Sequence, residues 1–517
     1  MAFRPRASAV ALLALPFLPS AVSAPAPVPS LIVLLTVDQL RADQLTRWAP
    51  EWTGGFRRLV TEGANFPNAR QDHAITETAP GHATLLSGRY PASTGIPFNS
   101  MGVGDTTVTL VGQKGRSGAS PRRFKGSTLV DWLRAADSGL RFLSVSRKDR
   151  SAILPIGRSR GPVFWFADGR FTTSTWYADT LPAWVGQWNA RRGAERLGGT
   201  AWKLLLPDTA YAERDDQPWE NGGRETTFPH PIPADSAHAL DVLPDRPWMD
   251  SLTLDFALSG VKALGLGTRP RPDLLAVGLS ATDHIGHSWG PDSREVHDHL
   301  LRLDRWLGTF LDSLEAVAPG RRILVVLSAD HGVTPFPEQA LSLGRPAGRI
   351  SLGRLVANAN RRVGNALNET SGLIYADTAR LRAAKVNPES LATALVAQVQ
   401  KLPGVVDAWT PATLGAPLRT NVGAARWRRS LPRDLNWLVC AVAAPGYIWS
   451  DGTGSTTHGT TNTDDVNVPI VFLGPGIRPG TYRDSVSTVD IAPTLAKLLA
   501  VKPSERLDGR AIKSVLR

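Results

Sequence analysis

Leu31-Ile32-Val33-Leu34-Leu35-Thr36-Val37-Asp38 is the stretch from which the fold can be read. Its residues are apolar or β-branched, which suits extended backbone. A strand with one wet face would alternate apolar and polar residues. This one does not, so it reads as a strand covered on both faces, as in parallel sheets. Similar runs occur at residues 274–280, 323–328 and 468–473. Between the second and third of these runs, Val296, Leu300, Leu303, Leu307, Phe310 and Leu314 recur at helical spacing on one face. Buried strands alternating with amphipathic helices predict an α/β fold: a doubly wound, mostly parallel central sheet with helices on both faces.

The chain has 517 residues, 42% hydrophobic and 20% charged, enough for a large core and unlike a disordered chain. Residues 1–24 read as a secretory signal. Arg4 and Arg6 precede a short apolar run at 9–17, and small residues at 21–24 suit cleavage. A membrane anchor fits less well, because the run is short and is broken by Pro16 and Pro19. The expected compartment is the periplasm or the exterior, with no stable membrane span after cleavage. Residues 25–517 read as one main domain. Two stretches, 155–250 and 340–430, read as cap-like insertions. The second carries a small α/β pattern: Leu373–Ala376, a helix near 388–402, then Val405–Trp409.

Cys440 is the only cysteine, which excludes an intramolecular disulfide and suits a small buried hydrophobe. The formal net charge of +12 has no Lys/Arg block or nucleic-acid signature behind it, so no nucleic-acid partner is inferred. A positive field attracts anionic substrates and equally serves solubility. The oligomeric state is not legible.

Acidic residues and histidines gather just past the carboxyl ends of the buried runs, where open α/β sheets carry their sites. Asp38 follows the first run. Asp283 and His287 follow the second, Asp330 and His331 the third, and His458 precedes the last. Any one of these is more often a helix cap than a ligand. Together, three carboxylates and three imidazoles suit zinc and are enough for two ions. The segment Thr76-Glu77-Thr78-Ala79-Pro80-Gly81-His82 adds a hydroxyl to this set. Pro80 suits a first helical turn, which puts Thr78 at a helix N-terminus favourable to anions. On its own, Thr78 would read as a simple cap.

These motifs, in this order, resemble the alkaline phosphatase superfamily. More closely, they resemble the phosphate-irrepressible alkaline phosphatases related to nucleotide pyrophosphatase/phosphodiesterases. The resemblance runs from Leu31 to about Ile512 and includes Thr488-Val-Asp-Ile-Ala-Pro-Thr and Leu507-Asp-Gly-Arg510. It implies a catalytic domain over 25–517 that binds two Zn²⁺. Asp38, Asp330, His331 and Thr78 would ligate one zinc, and Asp283, His287 and His458 the other. Thr78 would be the nucleophile, passing through a phosphothreonine intermediate. Sulfatases of the superfamily place Cys or Ser at the nucleophile position, so Thr78 argues against sulfatase chemistry.

By the same resemblance, Asn99 contacts the substrate phosphate, and Lys148 with Arg150 matches a Lys-x-Arg pair of the monoesterase branch. Extra cations suit a monoester, which carries about two negative charges against one for a diester. A solvated surface turn is the plainer reading of Lys148 and Arg150. The sequence after His458, Gly-Thr-Thr-Asn-Thr-Asp-Asp-Val-Asn-Val, departs from many relatives. The expected activity is zinc-dependent hydrolysis of small phosphate monoesters. Two alternatives stay open: a phosphodiesterase or nucleotide pyrophosphatase using the same metals, and a non-catalytic phosphate- or metal-binding protein.

Overall fold

The computed structural model describes residues 1, 28–113, 115–317, 322–415 and 420–517. The expected signal at 1–24 lies outside the described residues, apart from Met1. Among the described residues, no helix is long and apolar enough to cross a membrane.

Nine strands form the central sheet: β1 (Leu31–Val37), β2 (Ala64–Phe66), β3 (Phe142–Ser146), β4 (Val163–Ala167), β5 (Arg170–Thr172), β6 (Asp273–Leu279), β7 (Ile323–Ser328), β8 (Ile470–Leu473) and β9 (Gly480–Thr481). Their order across the sheet is β9-β2-β8-β7-β1-β6-β3-β4-β5. The run β7-β1-β6-β3-β4 is parallel throughout. β8 is antiparallel to both β7 and β2.

The unbroken apolar character of β1 has a direct cause. Leu31, Val33, Leu35 and Val37 enter one hydrophobic core. Ile32 and Leu34 enter another on the opposite face. β6 and β7 divide in the same way, with Leu275, Val277, Val325 and Leu327 on one side and Leu274, Ala276, Leu324 and Val326 on the other. Period-two side-chain geometry thus feeds two cores from one strand. The helix Arg294–Val317 lays Val296, Leu300, Leu303, Leu307, Phe310 and Leu314 into the first core.

The stretch 155–250 is not a separate unit throughout. Its Val163-Phe-Trp-Phe-Ala run is β4, which extends the parallel sheet, and β5 closes that edge in antiparallel fashion. The stretch 340–430 contributes to a second, four-stranded sheet. Leu367–Thr370, Leu373–Ala376, Trp437–Ala443 and Val405–Trp409 lie side by side in that order, all antiparallel. The unit therefore extends past residue 430. Buried Cys440 lies on its third strand, in a cluster with Ile75, Phe98, Trp409 and Trp427. That cluster docks the second sheet onto the loops around residues 74–98.

Candidate two-metal active site

The carboxyl ends of β1, β6 and β7 stand side by side, so the residues that follow them converge. Asp38, Asp330 and His331 bring one ligand atom each within 4.8 Å of one another, and so do Asp283, His287 and His458. These are the two triads expected from the sequence. All six residues are buried except His287, which is half-buried.

Each histidine is fixed by a backbone carbonyl. His287 Nδ1 bonds Thr456 O at 2.7 Å, His458 Nδ1 bonds Thr76 O at 2.6 Å, and His331 Nδ1 bonds Gly332 O at 3.0 Å. In every case Nε2 is left facing the carboxylates. His287 Nε2 and His458 Nε2 lie 3.3 and 3.6 Å from Asp283 Oδ1. His331 Nε2 lies 3.5 Å from both Asp38 Oδ1 and Asp330 Oδ2. This is the outer-shell arrangement that sets the tautomer of metal-binding histidines. Burial lowers His331 to about 4, and it lowers His458 well below the ordinary histidine value, helped by the neighbouring His331 and His287. Both imidazoles are therefore neutral, as ligation requires.

Crowding shapes the carboxylates. Burial raises Asp330 well above the usual range, and the adjacent Asp38 charge acts in the same sense. Burial also opposes ionisation of Asp283, but the Lys148 ammonium, with His287, overcomes it and holds Asp283 well below that range. Asp38 Oδ1 and Asp330 Oδ2 are buried and have no hydrogen-bond partner. Unpaired buried carboxylate oxygens are costly. Two triads of Asp/His donors, the first with such oxygens turned inward, fit two divalent ions.

Thr78 is the first residue of the helix Thr78–Leu85, with Glu77 as its N-cap. Thr78 Oγ1 is 3.5 Å from His331 Nε2, beside the first triad. Gly81 permits this placement, because a side chain there would collide with the Asp330 backbone carbonyl. Asn99 Oδ1 accepts from Ala79 N at 2.8 Å, which leaves its amide hydrogens for another acceptor. Lys148 is buried, not a solvated turn. Its Nζ bonds Asp38 Oδ2 and Asp283 Oδ2, each at 2.5 Å, while the Oδ1 atoms of both face the histidines. It therefore bridges the triads without covering their ligand oxygens. Arg150 lies two residues on, in the helix Asp149–Ile153 that Lys148 caps, and its buried Nε has no hydrogen-bond partner.

Three contributors were not assigned from the sequence. Gln39, at φ 69°, donates from its backbone to Asp330 and from Nε2 to Asp283 Oδ1 at 2.9 Å, linking the two triads. Glu77 accepts from Asn99 N (2.7 Å), Thr370 Oγ1 (3.0 Å) and Ser371 Oγ (2.7 Å). His82 is fully buried, with Nε2 3.5 Å from Asp330 Oδ2. A Gly-His step in the motif was the available signal for His82. Gln39 and Glu77 act through residues far along the chain and left none. The segment after His458 is braced by Asp465, which accepts from Thr334 Oγ1 at 2.8 Å and from Thr460 Oγ1 at 2.7 Å. The remaining histidines of the long helix are structural: His297 stacks on Trp48, and His299 bonds Thr282.

Comparison with known proteins agrees with this geometry. Residues 32–464 match the family described as type I phosphodiesterase / nucleotide pyrophosphatase. The chain is 31% identical to alkaline phosphatase PafA of Elizabethkingia meningoseptica, over 95% of each chain. It is also 31% identical to alkaline phosphatase PhoV of Synechococcus elongatus, over 95% of this chain and 93% of the relative. The crystal structure of wild-type PafA superposes with a TM-score of 0.89 at 30% identity, covering 95% of this chain and 99% of that one. The convergent triads, the shared fold and the extent of these matches together establish that the chain belongs to the type I phosphodiesterase / nucleotide pyrophosphatase family of the alkaline phosphatase superfamily.

Proposed function

We propose that the protein is an exported, metal-dependent phosphate monoester hydrolase with Thr78 as its nucleophile. The observation that carries this reading is the meeting of two complete donor triads, with a hydroxyl at a helix start beside the first. Asp38, Asp330, His331 and Thr78 would hold one ion, and Asp283, His287 and His458 the other. The donor chemistry suits zinc. When bound, the ions supply the positive charge that lowers the pKa of the attacking hydroxyl and stabilises charge on the departing oxygen.

The chain's own groups position the reaction. Thr78 Oγ1 attacks phosphorus from the side of the first triad, so an in-line displacement sends the leaving oxygen toward Asp283, His287 and His458. The resulting phosphothreonine is then hydrolysed by water. Asn99, held at Oδ1 by Ala79, offers its amide hydrogens to a phosphate oxygen. Lys148 and Arg150 meet the second negative charge that distinguishes a monoester from a diester. Relatives named alkaline phosphatase support the monoester. The family's own description keeps the diester as the second reading.

The test is a side-by-side rate comparison on aryl phosphate monoester, aryl phosphate diester and aryl sulfate, at defined zinc content. The monoester should be fastest, and chelation should abolish turnover until zinc is restored. A faster diester would select the second reading. Full activity in metal-free protein would remove both.

A further inference from the structure

Beside His458 the surface folds into a cavity of about 260 Å³, whose lining includes Glu369, Ser371, Trp449, Asp451, Thr457 and His458. It shares His458 with the second triad. One wall is an imidazole of the triad toward which the leaving oxygen departs. Another wall, Ser371, hydrogen-bonds Glu77, the residue before Thr78. A group leaving phosphorus on that side departs toward His458, which this cavity borders.

The chemistry of the cavity is one-signed. Glu369 and Asp451 face it together. Burial and then the Asp451 charge push Glu369 above its ordinary range. Among the described residues, neither carboxylate pairs with a cation. Arg349, which reaches Ser450 at 3.5 Å, is held by Glu338 through two 3.0 Å bonds. Trp449 adds an aromatic surface. It lies against Gly372 at φ +81°, where any Cβ would come within 2.7 Å of the indole. Carboxylates beside an indole attract an organic cation. A third metal fits less well, because the groups of three ligating side chains found among the described residues are the two triads alone.

We propose that this cavity is the leaving-group subsite, and that it selects phosphate monoesters of short amino alcohols, whose ammonium lies between Glu369 and Asp451 against Trp449. The proposal rests on the hydrolase reading above and adds a substrate class to it.

The test compares aminoethyl phosphate with propyl phosphate, of similar size and uncharged at the same end. Work at about pH 8 keeps the amine protonated, since alkyl amines titrate at about 10.4. In the zinc-loaded protein, kcat/KM should favour the amino ester by about tenfold, or about 1.4 kcal/mol. In the Glu369→Gln, Asp451→Asn double variant this ratio should fall to near one. A ratio already near one in the parent, or one unchanged in the variant, overturns the subsite. A ratio within one protein is insensitive to general damage by the substitutions. Calorimetric titration of the same two esters into zinc-loaded Thr78→Ala protein reads the preference without turnover. If neither ester is hydrolysed, the hydrolase reading fails, and the calorimetric ratio still decides the subsite.

Discussion

Replacing Glu77 should cost more activity than its distance from the reacting atoms suggests. Its carboxylate is shared between two parts of the molecule. Oε2 accepts from the Asn99 backbone, and Oε1 accepts from the Thr370 and Ser371 hydroxyls of the second sheet. Glu77→Ala strands a part-buried N–H at Asn99, and leaving such a donor unpaired costs about 1–3 kcal/mol. The two hydroxyls are half-buried and can turn to water, so they add little. The expected stability loss is therefore about 1–3 kcal/mol by urea unfolding. Asn99 also loses one of its two fixings, the other being the bond from Ala79. A displacement of about 1 Å at such a group costs on the order of 10²-fold in rate. Glu77→Gln should be far milder. Its carbonyl can still accept from Asn99, and its amide can donate to hydroxyls that reverse their roles, so only the charge assistance is lost. The assay is kcat/KM on an aryl phosphate together with a urea midpoint for all three proteins. If the alanine variant stays within twofold of the parent, or the glutamine variant is as impaired as the alanine one, the proposed bridge is refuted.

Thr78→Ala should keep its fold, with a stability change under about 1 kcal/mol because Glu77 and not Thr78 is the N-cap, while turnover drops by orders of magnitude and Thr78→Ser keeps part of it. An alanine variant near the parental rate would place the nucleophile elsewhere. The Lys148→Ala, Arg150→Ala double variant should lose about 10²–10⁴-fold on the monoester, from two charge-assisted bonds of roughly 1.5–3 kcal/mol each, and much less on the diester. Equal losses would reduce Lys148 to a brace between Asp38 and Asp283. A pH effect is expected at Glu220, on the segment packed against the helix Ala281–Trp289. Burial, with the neighbouring Glu295, pushes Glu220 up to about 10 from an ordinary 4.5. The folded state then holds a proton that the unfolded chain has lost, so this contribution to stability is complete below about pH 4.5 and fades as pH rises toward 10. Glu220→Gln should accordingly raise the urea midpoint more at about pH 9 than at about pH 5. The same shift at both would show that Glu220 is already ionised.

How much of this was legible depended on how local the signal is. β1, β6 and β7 could be read because each has to be apolar on two faces, which is a property of consecutive residues. Their C-terminal neighbours Asp38, Asp283 and Asp330 followed from the strand ends. The antiparallel setting of β8 could not be read, because direction belongs to its partners 142 residues or more away in the chain. β4 was hidden within 155–250 because five residues, Val163 to Ala167, carry no period. Gln39 looked like a polar residue after a strand, yet its unusual backbone angle carries a bond between the two triads. Glu77 sits inside the most informative motif and was still missed, because its partners Thr370 and Ser371 are nearly 300 residues away.

The position of β2 in the sheet bears on how the chain can be shortened. Its two neighbours, β8 and β9, both come from the last fifty residues. A nascent chain therefore carries Ala64–Phe66 without a partner until nearly all of it has been made. Deletion from the carboxyl terminus would strip β2 of both neighbours and lay one edge of β7 open from Val325 to Ser328, with Val325, Val326 and Leu327 buried in the two cores. Unpaired, hydrophobic strand edges recruit other chains. Truncated products should collect as insoluble aggregates, and chains that end before residue 470 would fail for that reason before any loss of catalysis could be measured.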